Sequence, residues 1–93
     1  MEFVWDGKKN LDNIKKHGLG FVQVIPAFSD PLRKEYYDGK HSSLSEDRLL
    51  LVGSVENSIL LISFTEPKPE TIRIISARKA TNHEVEVFQY GNG

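Results

Sequence analysis

The chain is 93 residues long, with 39% hydrophobic and 27% charged side chains, a formal net charge of -1 and no cysteine. A chain this short has apolar surface for one core only, so a single domain over residues 1–93 is expected, of the ordered globular class. The missing cysteine excludes disulfides and thiolate metal sites, and the near-neutral charge argues against coating DNA through bulk positive charge. With no run apolar enough for a signal peptide or membrane span, a soluble cytoplasmic protein is expected.

In chain order, Phe3, Val4 and Trp5 form a short β-prone run, and Asp6 is placed to cap a helix. That helix is expected from about residue 8 to residue 17, with Leu11 and Ile14 on its apolar face and Gly18 ending it in the left-handed conformation. Phe21, Val24, Ile25 and Phe28 again follow helical spacing, but Pro26 lies within the pattern, so this second helix should be short or kinked. "SDP" is a turn, "LRKEYY" a polar strand, and residues 38–47 the longest loop, rich in turn formers. Three stronger strands follow at 48–54, 58–65 and 71–77, joined by "VEN" and the longer, proline-containing "EPKPE" into an antiparallel meander. Thr81 and Glu84 have capping-box spacing, and a helix over 82–90 follows with Val85 and Phe88 inward. This order predicts an α+β fold, an antiparallel sheet of three to four strands with N-terminal helices and a C-terminal helix packed on one face. Both faces of "SILLISFT" are apolar, so a partner is expected to cover the other.

Several side chains offer chemistry. Alternation along "TIRIISAR" places Arg73 with Ile75 and Ala77 on one face, and Arg78 with Ile74 and Ser76 on the other. Each arginine has a structural reading, Arg73 pairing with a carboxylate such as Glu66 and Arg78 with Glu84, and a functional one as a phosphate contact. Lys15, Lys16 and His17 fall in the last turn of the first helix, where positive charge suits the helix dipole and could equally meet phosphate. His41, in the long loop, is a candidate acid or base; His83 belongs to a capping turn. Trp5, Tyr36, Tyr37 and Tyr90 could stack on bases or fill core and rim. Metal-ligand spacings, a phosphate-binding loop and a dinucleotide fingerprint are all missing.

Together these pieces resemble a known family. "FVWDGKKNLDNIKKHGLGF" is similar to the opening of BrnT-type toxins; "AFSDP" with Asp38, His41 and Arg48 resembles their middle; and "IRIISARKATNHE" is similar to their most distinctive run. The resemblance spans residues 3 to 90. It implies a RelE-like fold and the toxin half of a bacterial type II toxin–antitoxin pair, a ribonuclease that halts translation. It further implies neutralisation by a BrnA-type antitoxin, with operator DNA bound only through the toxin–antitoxin complex. RNA cleavage without metal or cofactor requires a base for the 2'-OH, a cation for the phosphoryl oxygens and an acid for the leaving oxygen. The candidate catalytic residues are therefore His17, His41, Arg48, Arg73 and Arg78, with Arg73 and Arg78 suited to the cation role and the histidines to proton transfer, and Lys15, Lys16 and Lys79 are expected on the RNA. Which histidine is the base is open, and a non-catalytic binding module or an inactive homologue are the alternatives.

Overall fold

Asp6 begins the first helix: its carboxylate accepts from the Lys8 and Lys9 N–H groups at 2.8 and 3.2 Å, satisfying donors that helix geometry leaves free. In the computed structural model, which describes residues 1–91, the elements are β1 (Glu2–Val4), α1 (Gly7–His17), α2 (Phe21–Val24), a 3-10 turn (Ile25–Ser29), β2 (Lys34–Tyr37), β3 (Leu49–Val55), β4 (Ser58–Lys68), β5 (Thr71–Lys79) and α3 (Asn82–Tyr90). Gly18 ends α1 with φ of 72°, a conformation that costs glycine nothing. Pro26 falls where α-helix gives way to the 3-10 turn, because its ring displaces the carbonyl four residues back. No helix among the described residues is long and apolar enough to cross a membrane.

The five strands make one sheet in the order β1-β5-β4-β3-β2. The meander β2 to β5 is antiparallel as expected, but the sheet is mixed and larger than the three to four strands anticipated, because Glu2–Val4 pairs parallel to Thr71–Arg73. Aromatic packing holds this extra strand: Phe3 meets Phe28 edge-on at 5.2 Å, Phe28 meets Phe64 at 5.1 Å, and Trp5 meets Phe21 at 6.0 Å. On the same face, α2 and the 3-10 turn bury Phe21, Val24 and Ala27 against Leu51, Leu60, Ile62, Phe64, Ile72, Ile74 and Ala77. Each large side chain here is stabilised by about 1.5–3 kcal/mol of burial. Gly53 lets β3 approach the 3-10 turn, since a Cβ there would stand 3.0 Å from the Ala27 carbonyl oxygen.

Three further expectations are corrected. Leu11 and Ile14 are not the buried side of α1; they are 60% and 43% exposed, and the buried residue is Asn13. The reason is that α1 flanks an edge. β5 runs on past β1, and the Asn13 amide takes the vacant strand's place, donating to the Ala77 carbonyl at 2.9 Å, accepting from the Ala77 N–H at 3.1 Å and donating to Leu19 O at 2.8 Å.

The helices also do not share one face. Lys34 and Arg78 pair across strands with Val52 and Leu61, opposite the core, and both reach α3: Lys34 Nζ to its last carbonyls, Arg78 to Glu84. So α3 covers part of the second face, over β2 and β3. Finally, "EPKPE" is not a long connection: β4 continues through Pro67 to Lys68 across a register shift, and Glu70 turns the chain with φ of 64°.

Candidate active site

The site begins with an irregularity in β5. Ser76 lies opposite Ser63 but Ile74 lies opposite Phe64, so Ile75 is an inserted, bulged residue. A bulge resets the alternation of side chains. Arg73, Ile75, Ser76 and Arg78 therefore all face away from the core while Ile72, Ile74 and Ala77 are buried in it. Strict alternation had placed the two arginines on opposite faces; the bulge brings them to one.

Beside this half of the sheet, left open by α3, runs a cleft of about 300 Å³ lined by Lys16 and His17 from α1, Asp38 and His41 from the long loop, Arg48, Leu50, Leu61 and Ser63, and Ile75, Ser76 and Arg78 from β5. The Asn13 contact with Ala77 is what sets the end of α1, and with it Lys16 and His17, against β5. The loop that carries His41 is laced to β3. Asp38 N–H donates to Arg48 O at 2.8 Å, the Ser42 hydroxyl donates to Asp38 O at 2.7 Å, and Arg48 N–H donates to the Ser42 hydroxyl oxygen at 2.8 Å.

Within that loop His41 Nδ1 lies 2.7 Å from Asp38 Oδ2; the carboxylate is 15% exposed and the imidazole 59%. A carboxylate only accepts, so Nδ1 carries the hydrogen and Nε2 keeps a free lone pair when the ring is neutral. The carboxylate thus fixes one tautomer of the ring at the rim of the cleft.

Arg78 is fixed from the other side. Its Nη1 and Nη2 donate to the two oxygens of Glu84 at 2.8 and 2.9 Å, and Nη1 also donates to Lys79 O at 3.2 Å. The Nε–H and the second Nη2 hydrogen, which share one edge of the planar group, have no partner among the described residues and form a fork that fits two phosphate oxygens. The bidentate bond from Arg78, against the opposing effect of burial and with help from the Thr81 N–H, holds the Glu84 carboxyl at about 2, while the same bond raises Arg78.

A second cavity adjoins the first and shares Arg48 and Ile75 with it; Asp6, Lys9, Glu46, Arg73 and Ile74 complete its lining. Here Arg73 pairs with Glu46, not Glu66, and the other Glu46 oxygen lies 3.6 Å from Arg48 Nη2. Glu66 is adjacent to a register shift on β4, whereas the laced loop carries Glu46 over the face on which Arg73 emerges.

Of the residues singled out in the sequence, His17, His41, Arg48, Arg78 and Lys16 meet in one cleft, and Arg73 stands in its neighbour. Lys15 and Lys79 are exposed and line neither cavity, and His83 is exposed at the start of α3. Sequence reasoning gave Asp38 and Glu46 no chemical role. Asp38 was accessible through its spacing, three residues before a histidine across a glycine turn; Glu46 carried no signal. Among the described residues no three histidine, aspartate or glutamate side chains cluster as a metal site would.

The family model described as ribonuclease toxin, BrnT, of type II toxin-antitoxin system matches residues 5–84. Among solved structures, the chain is similar to the crystal structure of the ribonuclease toxin BrnT from Brucella abortus, with a TM-score of 0.70 and 27% sequence identity, covering 88% of this chain and 99% of that one. No curated protein matches the sequence. The chain belongs to the BrnT family of type II toxin–antitoxin ribonuclease toxins.

Proposed function

We propose that this BrnT-family chain cleaves RNA without a metal ion, using the cleft between α1, the 38–47 loop and β5 as its catalytic centre. The observation that carries this reading is the Asp38–His41 dyad set in the same cleft as the free edge of Arg78. His41 Nε2 removes the 2'-OH proton, the 2' oxygen attacks the adjacent phosphorus, and the bond to the 5' oxygen breaks. Arg78 and Arg48 stabilise the charge that accumulates on the non-bridging oxygens. Protonated His17, at the end of α1, gives its proton to the departing 5' oxygen, so the products are a 2',3'-cyclic phosphate and a 5'-hydroxyl. Lys16 steadies the strand as it enters. DNA lacks the attacking hydroxyl and is not a substrate.

As the toxin of its pair, the protein stops translation by destroying RNA. A BrnA-type antitoxin neutralises it by covering the cationic open face with carboxylates, and the complex, through the antitoxin's DNA-binding part, represses the shared operon.

The test is cleavage of a defined RNA by purified protein in excess EDTA, with wild type, Asp38→Asn and His41→Ala compared. Cleavage that survives chelation, leaves cyclic phosphate ends and falls by about 10²–10⁴ in His41→Ala is the expected result. Asp38→Asn should lie between, because an amide can present its N–H to Nδ1 and stabilise the wrong tautomer. Loss of activity in EDTA, or cutting of the 2'-deoxy strand, would overturn the mechanism. Soluble folded protein that neither cuts RNA nor arrests growth would instead mark a binding module.

A further inference from the structure

The cavity beside the catalytic cleft encloses about 330 Å³ and presents three cations, Lys9, Arg48 and Arg73. It also holds two carboxylates, and they are not equivalent. Asp6 is committed to capping α1 through the Lys8 and Lys9 N–H groups. Glu46 has no such task; one oxygen takes a hydrogen bond from Arg73 and the other lies 3.6 Å from Arg48. An anionic group with acceptor oxygens set between two guanidinium groups has the geometry of a bound phosphate.

That carboxylate is replaceable. Arg73 and Glu46 are 42% and 35% exposed, and ion pairs so open to water hold weakly. Arg48 is more buried, at 25%, and its Nη2 stands 3.6 Å from the nearer Glu46 oxygen, beyond hydrogen-bond reach, so the loop carboxylate does not saturate it. Because Arg48 and Ile75 line both cavities, a strand leaving the cleft past Arg48 enters the second cavity next. Along β5, Arg73 and Arg78 stand roughly 15 Å apart at about 3.3 Å per residue, too far for both to clamp one phosphate without bending toward it.

We propose that this cavity is a second phosphate subsite, for the backbone phosphate of a nucleotide flanking the scissile one, and that Glu46 occupies it until RNA displaces it. Arg73 thereby positions substrate and does not touch the reacting phosphate. The identity of the ligand as RNA rests on the ribonuclease reading; the cation arrangement does not.

Binding of an uncleavable 2'-O-methyl hexanucleotide and the corresponding dinucleotide separates the two. For the hexanucleotide, Arg73→Ala should weaken affinity about tenfold and lower the salt slope by about one, with a markedly smaller penalty on the dinucleotide. Glu46→Gln keeps the loop's backbone bonds and removes the competing charge, so it should tighten hexanucleotide binding several-fold. Lys68→Ala, exposed on β4 and outside both cavities, reports the general effect of losing one positive charge. Equal losses for both lengths in Arg73→Ala, an Arg73→Ala effect no larger than that of Lys68→Ala, or unchanged or weakened binding in Glu46→Gln would each overturn the subsite, provided circular dichroism shows the variants folded. An unmodified hexanucleotide bound in this pattern yet left uncut would instead overturn the ribonuclease reading and leave the subsite standing.

Discussion

Replacing Asn13 with alanine should cost stability and activity together. The amide makes three hydrogen bonds, to Leu19 O, Ala77 O and from Ala77 N–H, and is 6% exposed. At about 1 kcal/mol net each the bonds sum to about 3 kcal/mol, and leaving the buried Ala77 groups unpaired adds to that. Against a typical total of about 5–15 kcal/mol this is a large fraction. With a urea m-value of about 1.5 kcal/mol/M the unfolding midpoint should fall by about 2 M at unchanged m. The Ala77 amide should also lose its hydrogen-exchange protection ahead of its neighbours on β5. Asn13→Asp is the sharper companion: the carboxylate still accepts from Ala77 N–H but faces two carbonyl oxygens with no hydrogen to give. It should be at least as destabilised at pH 7 and partly recover once acid protonates it. A loss under 1 kcal/mol in Asn13→Ala, with Ala77 still protected, would refute the idea that this side chain joins α1 to the sheet.

The other predictions concern the surroundings of the site. Glu84→Gln should lower stability by about 1–2 kcal/mol at neutral pH, discounted for the partial exposure of Arg78. Because the folded carboxyl titrates at about 2 against an ordinary 4.5, its contribution is present above about pH 4.5 and lost as pH falls towards 2; the gap between wild type and variant in urea titrations should close over that range. Gly18→Ala meets no neighbour within 4 Å, so its cost of about 1 kcal/mol comes only from the positive φ and should appear as a lower Tm with RNA cleavage by the folded protein little changed.

Much of this molecule is written in local signals. The Asp6 cap, Gly18, the Pro26 interruption and the Thr81–Glu84 capping box each act within a turn, and each is found where the sequence put it. What depends on pairing between distant segments was not legible. Nothing in "IRIISAR" announces that Ile75 is inserted, because a bulge is a property of two strands and their register; one extra residue moved Arg78 to the face of Arg73. Likewise Asn13 reads as one more polar residue of an exposed helix until β5 is known to extend past β1. The expected Arg78–Glu84 pair was accessible because both residues flank one short turn, while Glu46 reaches Arg73 only through the folded loop.

The parallel pairing of Glu2–Val4 with Thr71–Arg73 bears on how such a protein is made. β1 leaves the ribosome well before β5, the strand it pairs with among the described residues, and loops between segments so far apart in sequence close slowly. Arg78 and its Glu84 anchor emerge later still. A nascent chain therefore carries His17 and His41 before the strand that brings them into one cleft with Arg78 has been made. The cleft is complete only once β5 has joined the sheet.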